Sequence, residues 1–79
     1  TANISLSINE NDIQLPITVE IFNIKGQLVK TIVNNEIVQT INFVWNGKNN
    51  NDDSTASGMY FIKMKTATSE ISKKMLLLK

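Results

Sequence analysis

The acidic side chains of the chain are seven carboxylates: Glu10, Asp12, Glu20, Glu36, Asp52, Asp53 and Glu70. Two of them, held about 5–10 Å apart across a cleft, would suffice for acid/base work of the kind that cleaves glycosides. Their placement builds no such cleft, because most fall in polar turn segments or at outward positions of alternating stretches, where a solvated carboxylate is ordinary. Neither histidine nor cysteine occurs. This removes imidazole bases, hydrolase triads, thiolate nucleophiles, disulfides and the nitrogen and sulfur ligands of zinc and iron. The inventory reads as a chain that is not an enzyme and carries no cofactor and no metal centre.

Three other groupings invite chemistry. Asn49, Asn51 and Asp53 offer oxygens at alternate positions, as calcium loops do, but no glycine stands at the sixth position and Tyr60 occupies the place of the bidentate glutamate. A solvated hairpin loop fits those residues better. Trp45 and Tyr60 could stack on a sugar, yet both alternate in phase with aliphatic residues that must face a core. Burying an aromatic in a thin core contributes about 1.5–3 kcal/mol, so packing is the stronger claim on them. Finally, Lys73-Lys74 and Lys79 bracket Met75-Leu76-Leu77-Leu78. Such a strand has charged flanks of the sort that deter edge-to-edge pairing.

The elements that position these groups show a period of two. Ile4, Leu6 and Ile8 alternate with polar residues, and Asn9 to Asp12 has turn chemistry. Pro16 lacks an amide proton and belongs at a strand start or an edge. Ile17, Val19 and Ile21 share one face of a second strand, with Phe22 and Ile24 on the other. Gly26 supplies the positive φ of a tight turn, and Gln27 to Val33 returns with irregular apolar spacing that suggests a bulge or burial on both faces. Asn34-Asn35-Glu36 reads as another turn, and Ile37-Val38 as a very short strand or bridge. Ile41, Phe43 and Trp45 fall on one face of the next strand. A polar loop opens at Asn46-Gly47 and closes at Gly58. Tyr60, Ile62 and Met64 alternate with Phe61, Lys63 and Lys65, Thr66 to Ser69 makes a hairpin turn, and Ile71 to Leu78 forms the last strand. The expected core anchors are Ile21, Phe43, Trp45 and Tyr60, and the expected structural turns are at Gly26, Gly47 and Gly58.

Six or seven strands with turn signals between them and no helical period predict an all-β fold, an antiparallel two-sheet sandwich. With 79 residues, 42% of them apolar, there is material for one domain over the whole chain, residues 1–79, and for one thin core. The net charge of +1 comes from eight lysines and no arginine, too little to hold a polyanion, so nucleic acid is not an expected partner. No stretch approaches the ~18 apolar residues of a membrane span, and none resembles a signal peptide. The opening Thr1-Ala2-Asn3-Ile4 reads as the start of a piece cut from a larger protein whose export signal lies upstream.

Four motifs in order resemble the type IX secretion sorting domains, the Por secretion tails. Val19 to Thr31 is similar to their first hairpin, and Val44-Trp45-Asn46-Gly47-Lys48 to their Trp-Asp-Gly turn, with Asn46 in place of the usual Asp. Ser57-Gly58-Met59-Tyr60-Phe61 resembles their Ser-Gly-(Ile/Val)-Tyr-Phe strand, and Lys73 to Lys79 their terminal signature. The resemblance covers about Ile4 to Lys79 and implies an immunoglobulin-like sandwich of six to seven strands. It also implies a C-terminal sorting tail that directs an N-terminal parent domain across the outer membrane to the medium or the cell surface. The implied partners are the type IX translocon and a sortase-like peptidase, with recognition assigned to Lys73, Lys74, Met75, Leu76, Leu77, Leu78 and Lys79. The same core motifs also resemble the immunoglobulin-like insert of flagellar hook-capping proteins, a structural assembly module. A chain that stops at Met-Leu-Leu-Leu-Lys is expected of the sorting tail rather than of the insert. A third alternative is an accessory, sugar-binding module of a polysaccharide-degrading enzyme, which would use Trp45.

Overall fold

The computed structural model of the chain describes residues 1–8, 14–38 and 40–79. The turn expected at Asn9 to Asp12, with Glu10 and Asp12, lies outside the described residues. Six strands are present: β1 Ala2–Ser7, β2 Ile17–Asn23, β3 Leu28–Glu36, β4 Thr40–Trp45, β5 Gly58–Lys65 and β6 Glu70–Leu77. They form two antiparallel sheets, one of order β1-β4 and one of order β3-β2-β5-β6. The fold is the all-β, antiparallel two-sheet sandwich that the period-two patterning predicts, with six strands and no helix among the described residues, and it agrees with the immunoglobulin-like sandwich of six to seven strands that the resemblance implies.

Alternation explains which side chains meet. In β1 the residues Ala2, Ile4 and Leu6 are buried, and they pair across the ladder with Trp45, Phe43 and Ile41 of β4. The smallest of the three lies opposite the largest, so Trp45 fills the space that Ala2 leaves. Strand β2 sends Ile17, Val19 and Ile21 inward at 1% exposure or less, and β5 sends Tyr60, Ile62 and Met64. Val29 and Leu77 complete the inner face of the larger sheet. Sheets of this kind pack about 10 Å apart with interdigitated side chains, and here the inward residues of both sheets join one core cluster. Phe43, expected among the core anchors, is only half-buried and packs against the rim of the core. The two-stranded sheet is too narrow to cover both sides of its outer strand.

The β2–β3 ladder departs most from the sequence reading. Asn34-Asn35-Glu36 does not form a turn; β3 continues through Glu36, which pairs with Ile17. Three register shifts occur along this ladder, and each places one extra residue on β3. Bulges of this kind leave the extra residue unpaired and let the ladder continue. Asn35 takes φ 53°, a conformation that asparagine tolerates, and its amide donates to Thr18 Oγ1 at 3.2 Å. The bulges also account for the irregular spacing of Leu28, Val29, Ile32 and Val33. Ile37 and Val38 belong to no strand or bridge.

The β2–β3 turn is built by Asn23. Its Oδ1 accepts the amides of Lys25 and Gln27, both at 3.0 Å, and Gly26 donates its own amide to Asn23 O while holding φ 81°. A β-turn followed by a left-handed glycine is the usual three-residue hairpin connection. The β5–β6 hairpin closes through Thr66, whose amide donates to Ser69 O at 2.8 Å, as the polar Thr66–Ser69 segment predicts.

Candidate functional site

The carboxylates do not converge. Glu70 at the start of β6 pairs with Lys63 at 3.2 Å, and Asp52 lies 3.9 Å from Lys48. Both are exposed pairs of a kind that contributes little. Glu20 stands on the solvent side of β2 opposite Lys63, and Glu36 ends β3. Among the described residues no three groups of the His, Cys, Asp or Glu type lie close enough together to hold a metal ion.

The loop from Asn46 to Ser57 is mostly exposed and closes on itself as a hairpin, as expected, and it is also held by a defined set of hydrogen bonds. Asn46 Oδ1 accepts the Lys48 amide at 3.1 Å, so asparagine makes the turn cap here in place of aspartate. Asn49 Oδ1 accepts two amides, those of Asn51 at 2.9 Å and Asp53 at 3.0 Å. The oxygen that a calcium loop would offer at its first position is thus aimed at backbone donors. Lys48 and Ser54 form an isolated antiparallel bridge, and both the amide and the hydroxyl of Thr55 donate to Gly47 O. The loop docks on β3, where Asn50 donates its amide to Val29 O and accepts that of Thr31 on its Oδ1.

Both aromatic residues considered for sugar stacking serve this loop. Trp45 is fully buried; its Nε1 donates to Lys48 O at 2.9 Å and its ring meets that of Tyr60 edge-on at 4.9 Å and 79°. Tyr60 donates its hydroxyl to Ala56 O at 2.6 Å. Neither ring presents a face to solvent, and the edge-to-face pair adds about 0.5–1.5 kcal/mol to the area that it buries.

The residues from Lys73 to Lys79 do not share one surface. Leu77 is fully buried and lies beneath Gly47, and Met75 is half-buried. Lys79 donates its amide to Ser57 Oγ at 3.1 Å, and its ammonium group bonds Ser54 Oγ and Thr55 O. The chain end thereby clasps the 46–57 loop. Thr1 adds a second tie, its nitrogen donating to Leu78 O at 2.9 Å. Lys73, Lys74, Leu76 and Leu78 remain exposed. Lys73 is opposite Ile62, an inward residue of β5, so it points to the core side of the sheet beyond the cover of the smaller sheet.

A second surface is absent from the site residues expected of the sequence. Phe22 and Phe61 pair across β2 and β5 on the solvent side of the larger sheet, flanked by Leu28 opposite Phe22 and by Met59 opposite Leu76. Leu28, Met59 and Leu76 are each about half exposed, and Ile24 in the neighbouring turn is 71% exposed. A shallow groove of about 270 Å³ runs between Phe22, Ile24, Phe61 and Lys63, with the Lys63 ammonium 5.4 Å from the Phe22 ring centre. The sequence carries its signal, two phenylalanines out of phase with the inward aliphatics, but only the β2–β5 register joins them. A smaller groove of about 100 Å³ separates β1 from β6 and is lined by Ile4, Leu6, Ile62, Lys73 and Met75 among others.

These elements, a two-layer core, an Asn-capped loop over a buried tryptophan and the Gly-x-Tyr start of β5, coincide with a known family. The family model of the FlgD Ig-like domain matches residues 1–70. The chain belongs to the FlgD Ig-like domain family. The match ends where β6 begins, so this FlgD Ig-like domain has its last strand outside the matched segment. No curated protein matches the chain, and no solved structure does.

Proposed function

We propose that the chain is a non-catalytic module of a larger protein, an immunoglobulin-like domain that holds parts of an assembly together as the insert of a hook-capping protein does. Membership of the FlgD Ig-like family across residues 1–70 carries this reading. Two features agree with it: the grooves of the described residues, which are shallow, and the apolar stripe around Phe22 and Phe61 on the outer sheet face. Ligand sites that bury a small molecule are enclosed and convergent; a contact module needs surface instead. The test is deletion of residues 1–79 from the parent protein, with the assembly followed by analytical sedimentation. A smaller particle is the expected result, and an unchanged one refutes the reading.

A second reading keeps the domain but gives it a different task. The terminal residues Lys73 to Lys79 lie outside the family match and resemble the signature of type IX sorting tails, and four of them, Lys73, Lys74, Leu76 and Leu78, are exposed. On this reading the partners are the outer-membrane translocon and a sortase-like peptidase, and the parent protein reaches the medium or the cell surface. Removing Met75 to Lys79 is a poor test, because it also takes Leu77 out of the core. A fluorescent reporter carrying residues 1–79 behind an export signal, in a host with the type IX machinery, should reach the surface. The double variant Lys74→Glu/Leu76→Asn, which alters exposed positions alone, should hold it in the periplasm. Equal delivery of both removes β6 from any sorting role.

A further inference from the structure

The larger sheet ends at β6, and among the described residues nothing is laddered to its outer edge. Along such an edge alternate residues leave their N–H and C=O groups free, a template for another strand. Strand β1 runs beside this edge without pairing to it: the Thr1 nitrogen meets Leu78 O, and Asn3 to Leu6 face Lys73, Lys74 and Met75 across a groove. From Glu70 to Lys74 every side chain is exposed. Between the two strands lies the groove of about 100 Å³ lined by Ile4, Leu6, Ile62 and Met75, roughly the volume of three waters, which an added strand would fill with one inward apolar side chain.

Charge selects the occupant. Lys73 and Lys74 are adjacent, so one points to each side of the sheet, and the free edge is cationic on both faces. A second copy of the chain, paired antiparallel with both cores on one side of the sheet, would in its two longest registers set Lys73 opposite the other copy's Lys73 (Glu70 meeting Leu76) or Lys74 opposite the other copy's Lys74 (Ile71 meeting Leu77). Like charges directly opposite in a ladder are destabilising, which argues against self-pairing. A strand with two adjacent carboxylates places one opposite each lysine instead.

We infer that the open edge of β6 takes an extended acidic segment of a partner protein as a fifth strand of the larger sheet, its two neighbouring carboxylates opposite Lys73 and Lys74. The inference rests on the reading of the chain as a contact module and names the chemistry of one of its contacts. In antiparallel register the segment carries apolar residues opposite Leu76, Met75 and Ile71, and the one opposite Met75 enters the groove beside Ile4 and Leu6.

The test uses the 79-residue chain and the capped peptide Thr-Val-Val-Glu-Glu-Thr-Val, followed by amide chemical shifts. Shifts confined to 70–77 and to β1, with an affinity at least tenfold above that of the same peptide with Lys-Lys in place of Glu-Glu, are expected. The variant Lys73→Glu/Lys74→Glu changes exposed positions only, and its fold is checked by the emission of buried Trp45; it should invert the preference between the two peptides. Affinity should fall as salt is raised, since the pairs are solvent-exposed. Shifts that map instead to Phe22 and Phe61, equal affinity for both peptides, or a dimer of the chain alone that the double variant abolishes would each overturn the proposal. A peptide that fails to bind while deletion of the module still shrinks the parent assembly removes this inference and leaves the contact reading standing; an unaltered assembly removes the contact reading itself.

Discussion

Gly26 and Gly47 have nearly the same backbone conformation, φ 81° and 80°, and very different surroundings, so replacing each by alanine separates a backbone cost from a packing cost. A left-handed conformation costs an L-residue about 1–2 kcal/mol relative to glycine, and the stiffer unfolded chain returns about 0.4–1 kcal/mol. At Gly26 an added Cβ meets nothing within 4 Å, so Gly26→Ala should lose about 1 kcal/mol, the difference of those two figures. At Gly47 the Cβ would lie 2.8 Å from Lys79 Cε and 3.0 Å from Leu77 Cδ2. The lysine end can swing aside at the expense of its bonds to Ser54 and Thr55, but Leu77 is fully buried and has nowhere to go. Overpacking of this kind costs about 1–3 kcal/mol, bringing Gly47→Ala to about 2–4 kcal/mol. A domain of this size has about 4–12 kcal/mol in all, and each kcal/mol moves Tm by about 4–8 °C. Urea melts followed by the emission of Trp45, the single tryptophan and fully buried, read both variants. Equal losses at the two sites would refute the placement of β6 beneath the loop. Leu77→Ala in the Gly47→Ala background should cost less than the two single losses added together, because removing the isobutyl group relieves the contact.

Leu77→Ala alone leaves a cavity under Gly47 and should lower stability by about 2–5 kcal/mol in the same melts, whereas Leu76→Ala, at a half-exposed position one residue earlier, should stay within about 0.5 kcal/mol. Tyr60→Phe removes the hydroxyl that donates to Ala56 O and should cost about 1 kcal/mol, measured by urea midpoint at unchanged m-value. Asn49→Ala strands the amides of Asn51 and Asp53; since both are exposed, the loss should be about 1 kcal/mol, with faster hydrogen exchange confined to the 46–57 loop. Phe22→Ser/Phe61→Ser should lose about 2 kcal/mol in all, lowering Tm by about 8–16 °C, and reduce binding of a hydrophobic dye to the intact fold well below that transition, because both rings are only half-buried on the solvent side of the sheet.

Much of the fold was legible because a strand repeats every two residues. Ile17, Val19 and Ile21, or Tyr60, Ile62 and Met64, declare their buried face without reference to anything distant, and the turns at Asn23-Gly26 and Thr66-Ser69 close through side chains of their own segment. Where the reading failed, a distant partner decided. Asn34 to Glu36 has turn chemistry, yet the β2 edge beside it offered a ladder, and bulges absorbed the mismatch in spacing. The loop 46–57 is as solvated as its residues suggest, but its fixed shape was not legible, because Trp45, Tyr60, β3 and Lys79 each bind one part of it from elsewhere in the chain.

The candidate surfaces divide in the same way. Residue types alone settle that histidine and thiol chemistry have no place here, and the out-of-phase phenylalanines and paired lysines are visible in one dimension. Periodicity shows only which residues share a side of their own strand. Register and sheet order are properties of pairs of strands far apart in the chain, and they alone bring Phe22 to Phe61, sink Leu77 while leaving Leu76 exposed, and place β6 at the open end of a sheet.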